Sequence, residues 1–148
     1  MMKLYLDLCV YNRPFDDQHQ ERIVLETSAF IYILEKVEKG EYRLVASEAL
    51  AYENTKNPDE LRRLRLTSYF CLAKDFIRAD YEDSKRGRYL ITLGFSAMDA
   101  LHLALAEKQN VDYFITCDDS IIKLYRKHQG IIKVRVVSLL EFIDLEVK

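Results

Sequence analysis

Short apolar runs that alternate with helical segments constrain this chain more than any other feature of its sequence. Four runs are apolar on both faces and rich in β-branched or aromatic residues, which predicts buried strands over 3–10, 42–47, 111–116 and 133–138. Helical spacing of apolar residues fills the segments between them. The alternation predicts an α/β fold: a three-layer sandwich with a mostly parallel central sheet of four or five strands.

Length and composition exclude several other classes of protein. A chain of 148 residues with only four glycines and two prolines predicts one globular domain without linkers. Its three cysteines form no CxxC pair, which indicates neither a disulfide framework nor a zinc site. The N-terminal stretch is interrupted by Asp7, and the uncharged segment 89–98 is far shorter than a membrane span of roughly 20 residues. We therefore expect a cytoplasmic protein without a membrane partner.

Four acidic residues lie where the predicted strands end or the following helices begin. Ligands of parallel α/β sheets bind beyond the carboxyl ends of the strands, so acids at these positions are expected to converge. Carboxylate oxygens are the ligands that Mg²⁺ and Mn²⁺ prefer. The candidate metal ligands are Asp7, Glu53, Asp99 and Asp118.

Each acid also has a structural explanation that remains open at this stage. Asp99 completes the capping pattern Ser-x-x-Asp, Asp118 could cap the helix that follows it, and Glu53 could be a solvated helix residue. Asp7 is harder to explain in this way, because aspartate is depleted in strands. His102, one helical turn after Asp99, is interpreted as a packing residue.

Four segments together resemble the PIN-domain nucleases, the fold of the VapC toxins in bacterial and archaeal toxin–antitoxin pairs. They are LYLDLCVYN, SEALAYE, SAMDALHLALAE and FITCDD, in this order, and the resemblance covers nearly the whole chain. It implies a single PIN-like domain over 1–148. The family's catalytic and metal-binding acids fall on Asp7, Glu53, Asp99 and Asp118. Thr116 and Asp119 fall beside the last acid, and Asn12 and Arg13 lie close to the first, where they could orient the ligands or contact the substrate.

The sequence departs from the family pattern at two places. PIN domains usually carry Ser, Thr or Asn within two residues of the first aspartate, whereas Leu8 and Cys9 stand here. The stretch 54–79 also differs from the short loop of many VapC toxins.

The resemblance implies a metal-dependent endoribonuclease that uses Mg²⁺ or Mn²⁺ to hydrolyse RNA, with an antitoxin protein as a possible partner and a homodimer as the expected assembly. The net charge of −2 argues against a nucleic-acid partner at first sight. If a metal neutralises the four acids, however, the remaining charge is positive. Clustered Lys and Arg residues over 56–65, 85–88 and 123–127 could hold RNA phosphates or could be solvated faces.

The sequence is compared with two other functional classes by the residue that each needs after Asp7. A haloacid-dehalogenase-type phosphatase needs a second aspartate two residues after the first, and Cys9 occupies that position. A PIN-fold protein that lacks catalysis and serves as an interaction module remains an open alternative, favoured by Cys9 and the extended middle region.

Overall fold

Five parallel strands form one central sheet in the computed structural model of the chain, which describes residues 1–147. The strand order is β3-β2-β1-β4-β5, with the first strand in the middle. The strands are β1 (Met2–Leu6), β2 (Tyr42–Ser47), β3 (Asp75–Ile77), β4 (Tyr113–Thr116) and β5 (Arg135–Ser138). The predicted α/β class with a parallel sheet is confirmed.

Helices connect successive strands and cover the sheet. They are α1 (Leu8–Asn12), α2 (Glu21–Glu38), α3 (Glu48–Asn54), α4 (Glu60–Phe70), α5 (Tyr81–Thr92), α6 (Ala97–Lys108), α7 (Asp119–Lys127) and α8 (Leu139–Glu146), with a short 3-10 turn at Arg13–Phe15. Within residues 1–147, no helix has the length and apolarity that crossing a membrane would require.

The two faces of the sheet are visible in the neighbouring residues Tyr113 and Phe114, because side chains alternate along a strand. Tyr113 packs edge-on against Phe142 of α8, with ring centroids 5.2 Å apart. Phe114 stacks on Tyr5 at 5.4 Å, and Tyr5 in turn contacts His102 of α6. The sheet is therefore the middle layer of a three-layer sandwich, which explains why its strands are apolar on both faces.

Two elements differ from the sequence prediction. The run 3–10 was predicted as one strand, but β1 ends at Leu6 because Asp7 caps a short helix: its Oδ1 accepts a hydrogen bond from the Leu8 amide at 2.9 Å. The strand β3 was not among the four predicted runs. It is only three residues long and lies at the edge of the sheet, where it pairs with β2 alone.

The helix boundaries follow their caps. Ser47, Asp59, Ser96 and Ser138 each accept a hydrogen bond from a backbone amide in the first turn of the helix that follows. Because α3, α7 and α8 begin directly where β2, β4 and β5 end, their first turns all lie at the carboxyl edge of the sheet.

Candidate metal centre

Asp7 lies at the middle of the carboxyl edge, directly after β1 and between the ends of β2 and β4. Its carboxylate is held on both oxygens. Oδ1 accepts from the Leu8 amide at 2.9 Å, and Oδ2 accepts from the Thr116 hydroxyl at 2.8 Å. Asp7 is only 6% exposed, and burial raises its pKa, although His102 and the Thr116 hydrogen bond oppose this effect. A bound cation would offset the cost of this buried charge.

Glu53 and His102 meet Asp7 at this position. One ligand atom from each of the three residues lies within 4.8 Å of the other two. Glu53 reaches the site from α3, which follows β2, and His102 comes from the second turn of α6. The His102 Nε2 atom is 2.9 Å from Glu53 Oε1, so these two groups are hydrogen-bonded.

Asp99 lies in the first turn of α6 and interacts electrostatically with Asp7. Its pKa is raised to about 6, first by burial and next by repulsion from Asp7, with a smaller contribution from Asp118. The N-cap of α6 is Ser96, whose hydroxyl accepts from the Asp99 amide at 3.2 Å. The helix is therefore capped by the serine side chain, and the Asp99 carboxylate pays an electrostatic penalty that capping does not explain.

Asp118 has the capping role that the sequence left open. It is the N-cap of α7, and its Oδ1 accepts from both the amide and the hydroxyl of Ser120, at 2.9 and 2.6 Å. The side chain is exposed, and its own amide donates to Thr116 Oγ1 at 3.0 Å. Asp118 is therefore the most exposed of the acids Asp7, Asp99 and Asp118. It is near enough to Asp99 to raise the pKa of Asp99.

The other predicted site residues divide into two groups. Thr116 contacts Asp7 directly, whereas the Asp119 carboxylate is turned away and forms a two-pronged salt bridge with Arg22, both contacts at 2.9 Å. Arg13 donates to Glu26 and to Asp16, each at 2.8 Å, so its charge is already paired.

Cys9 and Asn12 both belong to α1, the short helix that follows Asp7. Asn12 is half-buried, and its Oδ1 has no hydrogen-bond partner among residues 1–147. The Cys9 thiol lies 3.5 Å from Asp7 Oδ2 and 3.4 Å from Thr116 Oγ1. Cys9 therefore occupies the place of the polar residue that the family pattern has here, and it contacts the same carboxylate oxygen as Thr116.

Two arginines of the basic clusters are already paired with acids of the fold. Arg62 is paired with Asp16, and Arg86 forms a salt bridge with Glu107 at 2.8 Å. Glu107 lies eight residues beyond Asp99 on α6, which corresponds to about 12 Å along the helix axis. Arg86 therefore lies towards the opposite end of α6 from the acidic group.

His102 is the residue that the sequence analysis undervalued. It is completely buried, as expected of a packing residue, but both ring nitrogens are hydrogen-bonded: Nε2 to Glu53 and Nδ1 to the Tyr5 hydroxyl, the latter at 2.6 Å. The one sequence signal for this role was its position one helical turn after Asp99, on the same side of α6.

The donor set fits a hard divalent cation. Asp7 and Glu53 offer carboxylate oxygens at a short mutual distance, and Asp99 adds a third negative charge whose raised pKa a cation would lower. These oxygens suit Mg²⁺ and Mn²⁺.

No protein-family model and no curated protein matches this chain. Among solved structures, the chain is similar to a chain in the crystal structure of VapBC2 from Rickettsia felis. In that structure VapBC2 is bound to a DNA fragment from its own promoter. The TM-score is 0.58 at 16% sequence identity, and the match covers 93% of this chain and 98% of that chain. The resemblance to VapC that the motifs indicated is therefore confirmed at the level of structure: the chain has a VapC-like PIN-domain fold.

Proposed function

We propose that this protein is a metal-dependent endoribonuclease that hydrolyses RNA phosphodiester bonds, with Mg²⁺ or Mn²⁺ as its cofactor. One observation carries the proposal: the buried carboxylate of Asp7 lies within 4.8 Å of a Glu53 ligand atom at the carboxyl edge of a VapC-like sheet. Two acids brought this close repel each other, so their convergence is costly unless a cation occupies the space between them.

The burial and contacts of each acid indicate its role in binding the metal. Asp7 would bind the ion with a carboxylate whose orientation is fixed by Leu8 and Thr116. Asp99 and Glu53 would complete the charged ligand set, and Asp118 at the rim would hold a water molecule. The ion itself would polarise the phosphodiester and lower the pKa of a water molecule. A histidine base is then unnecessary.

The proposed partners follow from the fold and from the exposed surface. The similar structure is VapBC2, which supports an antitoxin protein as the partner of this chain. A toxin role in the cytoplasm belongs to the same proposal. Leu61 and Leu64 on α4 are 65% and 60% exposed and would suit the proposed homodimer. Phe70, from the same helix, is 7% exposed and belongs to the core instead.

Cleavage of mixed RNA tests the proposal. We expect activity with Mg²⁺ or Mn²⁺ and none with chelator, and we expect Asp7→Asn and Asp99→Asn each to lower the rate at least about a hundredfold, because each removes a charged ligand. The matched control is Asp119→Asn, a neutralised acid on α7 whose carboxylate contacts Arg22. It should retain most of the activity.

The same assay decides between catalysis and the interaction-module alternative. If the wild-type protein leaves RNA intact at all metal concentrations while still binding a protein partner, the chain is a PIN-fold interaction module. If Asp7→Asn and Asp99→Asn both cleave like the wild type, the assigned residues are wrong.

A further inference from the structure

A continuous chain of buried hydrogen bonds leads from the end of β2 to Glu53. The Ser47 hydroxyl is 2.6 Å from the Tyr5 hydroxyl, Tyr5 is 2.6 Å from His102 Nδ1, and His102 Nε2 is 2.9 Å from Glu53 Oε1. Ser47, Tyr5 and His102 are all completely buried. A polar chain of this kind is expensive unless every donor and acceptor in it is satisfied.

Counting protons along the chain determines its direction. The Leu50 amide donates to Ser47 Oγ at 3.2 Å, so the Ser47 proton can be donated onward to the Tyr5 oxygen. Tyr5 then donates its own proton to His102 Nδ1, which leaves the His102 proton on Nε2, where it points at Glu53. Every group is satisfied in this arrangement.

The reverse direction leaves one proton without an acceptor. If His102 carried its proton on Nδ1 and donated it to Tyr5, Tyr5 would donate to Ser47. Among residues 1–147, the Ser47 hydroxyl contacts only the Leu50 amide, which is a donor, and the Tyr5 hydroxyl. Its proton would then be buried and unsatisfied, which costs about 1–3 kcal/mol in general.

We infer that His102 is a positioning residue for Glu53: Ser47 and Tyr5 fix the imidazole as a donor on Nε2, and that donor holds Glu53 Oε1 so that the second carboxylate oxygen remains as its ligand atom. The inference rests on the proposed function, since it assigns Glu53 to the metal. With a proton on Nε2 and Nδ1 occupied by Tyr5, His102 itself has no lone pair to offer a cation.

The inference is tested by Mn²⁺ affinity, measured from the electron paramagnetic resonance signal of free Mn²⁺ during titration of the metal-free protein. Groups that orient metal ligands are typically worth 10- to 100-fold in metal affinity. His102→Asn cannot reach Glu53 and should weaken Mn²⁺ binding by about this factor. His102→Gln can place its amide donor near the position of Nε2 and should stay within about threefold of the wild type.

Tyr5→Phe removes the hydroxyl that fixes the imidazole and leaves the aromatic ring in the core. We expect it to weaken Mn²⁺ binding several-fold. Its matched control is Tyr11→Phe, because Tyr11 is equally buried and its hydroxyl has no hydrogen-bond partner in the described chain. That variant should bind Mn²⁺ like the wild type. Tyr5→Phe also keeps the test decisive if His102→Asn does not fold.

Three results would overturn the inference. If Tyr5→Phe binds Mn²⁺ as tightly as the wild type, and His102→Asn does the same or does not fold, His102 does not position Glu53. If electron spin-echo spectra of the Mn²⁺-loaded wild type show a directly bonded nitrogen that His102→Gln lacks, His102 is a ligand instead. If the wild type binds no Mn²⁺, the proposed function fails, and the positioning role fails with it.

Discussion

Replacing Asp99 by Asn distinguishes a carboxylate that serves a metal from one that serves a helix. The pKa of Asp99 is about 6 in the folded protein against an ordinary value of 3.8. The difference between these two pKa values corresponds to about 3 kcal/mol. Because the side chain is partly exposed, solvent screening reduces this figure to about 1–1.5 kcal/mol. The ionised Asp99 therefore destabilises the metal-free protein by that amount.

The amide substitution removes this penalty while keeping the shape of the side chain. The cap of α6 survives, because the acceptor is the Ser96 hydroxyl and the donor is the Asp99 backbone amide. The variant loses the favourable interaction of a first-turn acid with the helix dipole, about 0.3–1 kcal/mol. We expect a net gain of up to about 1 kcal/mol, or a melting temperature raised by up to about 4 °C in chelator at pH 7.5.

The difference between the two proteins should depend on pH. An acid whose folded-state pKa is raised stabilises the fold at low pH, and this contribution is lost as the pH rises through the folded-state value. The advantage of Asp99→Asn should therefore be largest above pH 6 and should disappear near pH 4. Melting curves at pH 4, 5 and 7.5 measure this trend.

Added Mn²⁺ should reverse the order. A ligand present at 100 times its dissociation constant stabilises the folded protein by about 2.7 kcal/mol. Mn²⁺ should therefore stabilise the wild type much more than Asp99→Asn, which lacks one charged ligand. The control is Glu141→Gln. Glu141 is also a first-turn acid whose amide donates to a serine cap, Ser138, at 3.0 Å. The Glu141→Gln variant should melt at a slightly lower temperature than the wild type, and Mn²⁺ should stabilise the two proteins equally.

One result would refute this reasoning. If Asp99→Asn melts below the wild type in chelator at pH 7.5, and Mn²⁺ shifts both proteins equally, Asp99 is only a helix-terminal acid and its assignment to the metal is wrong.

Three further predictions concern stability and reactivity. Glu26→Ala should destabilise the protein by about 1–3 kcal/mol in denaturant unfolding, because Glu26 is 1% exposed and its loss removes the buried partner of Arg13, which keeps its contact with Asp16. Gly94→Ala should cost more than about 1 kcal/mol in the same measurement, since Gly94 has φ +116° and an added Cβ would lie 3.1 Å from a neighbouring side chain. Brief alkylation at pH 8 should modify Cys71 alone, because Cys71 is exposed, whereas the hydrogen bond with Cys117 and burial raise the pKa of the Cys9 thiol. Labelling of Cys9 at the same rate would contradict the packing described here.

Much of the fold could be predicted from sequence because the physics behind it is local. Strands buried on both faces must be apolar throughout, and helix caps need particular residues at particular offsets, so β2 and the start of α6 were identifiable from short windows. The edge strand β3 was not, since three residues that begin with Asp75 carry no apolar run. The end of β1 was misplaced because 8–10 continue the apolar pattern as a helix.

The sequence indicated where the acids lie along the chain, but it did not indicate their contacts. Asp7 was identified because a carboxylate interrupts an apolar strand. The role of His102 depends on Glu53, 49 residues away, and that of Asp119 on Arg22, 97 residues away. Such pairings are set by how helices pack across the sheet, which no local pattern encodes.

Because β1 lies in the middle of the sheet, the surroundings of Asp7 cannot form until strands from later in the chain have been synthesised. Asp7 is near the start of the chain, but its partner Thr116 on β4 follows 109 residues later. A chain growing at about 5–20 residues per second therefore exposes Asp7 and Glu53 several seconds before the strand that completes their surroundings has been made. Until β4 inserts beside β1, two of the five strands are missing and Asp7 Oδ2 accepts no hydrogen bond from Thr116. Synthesis itself thus delays assembly of the centre until β4 has been made.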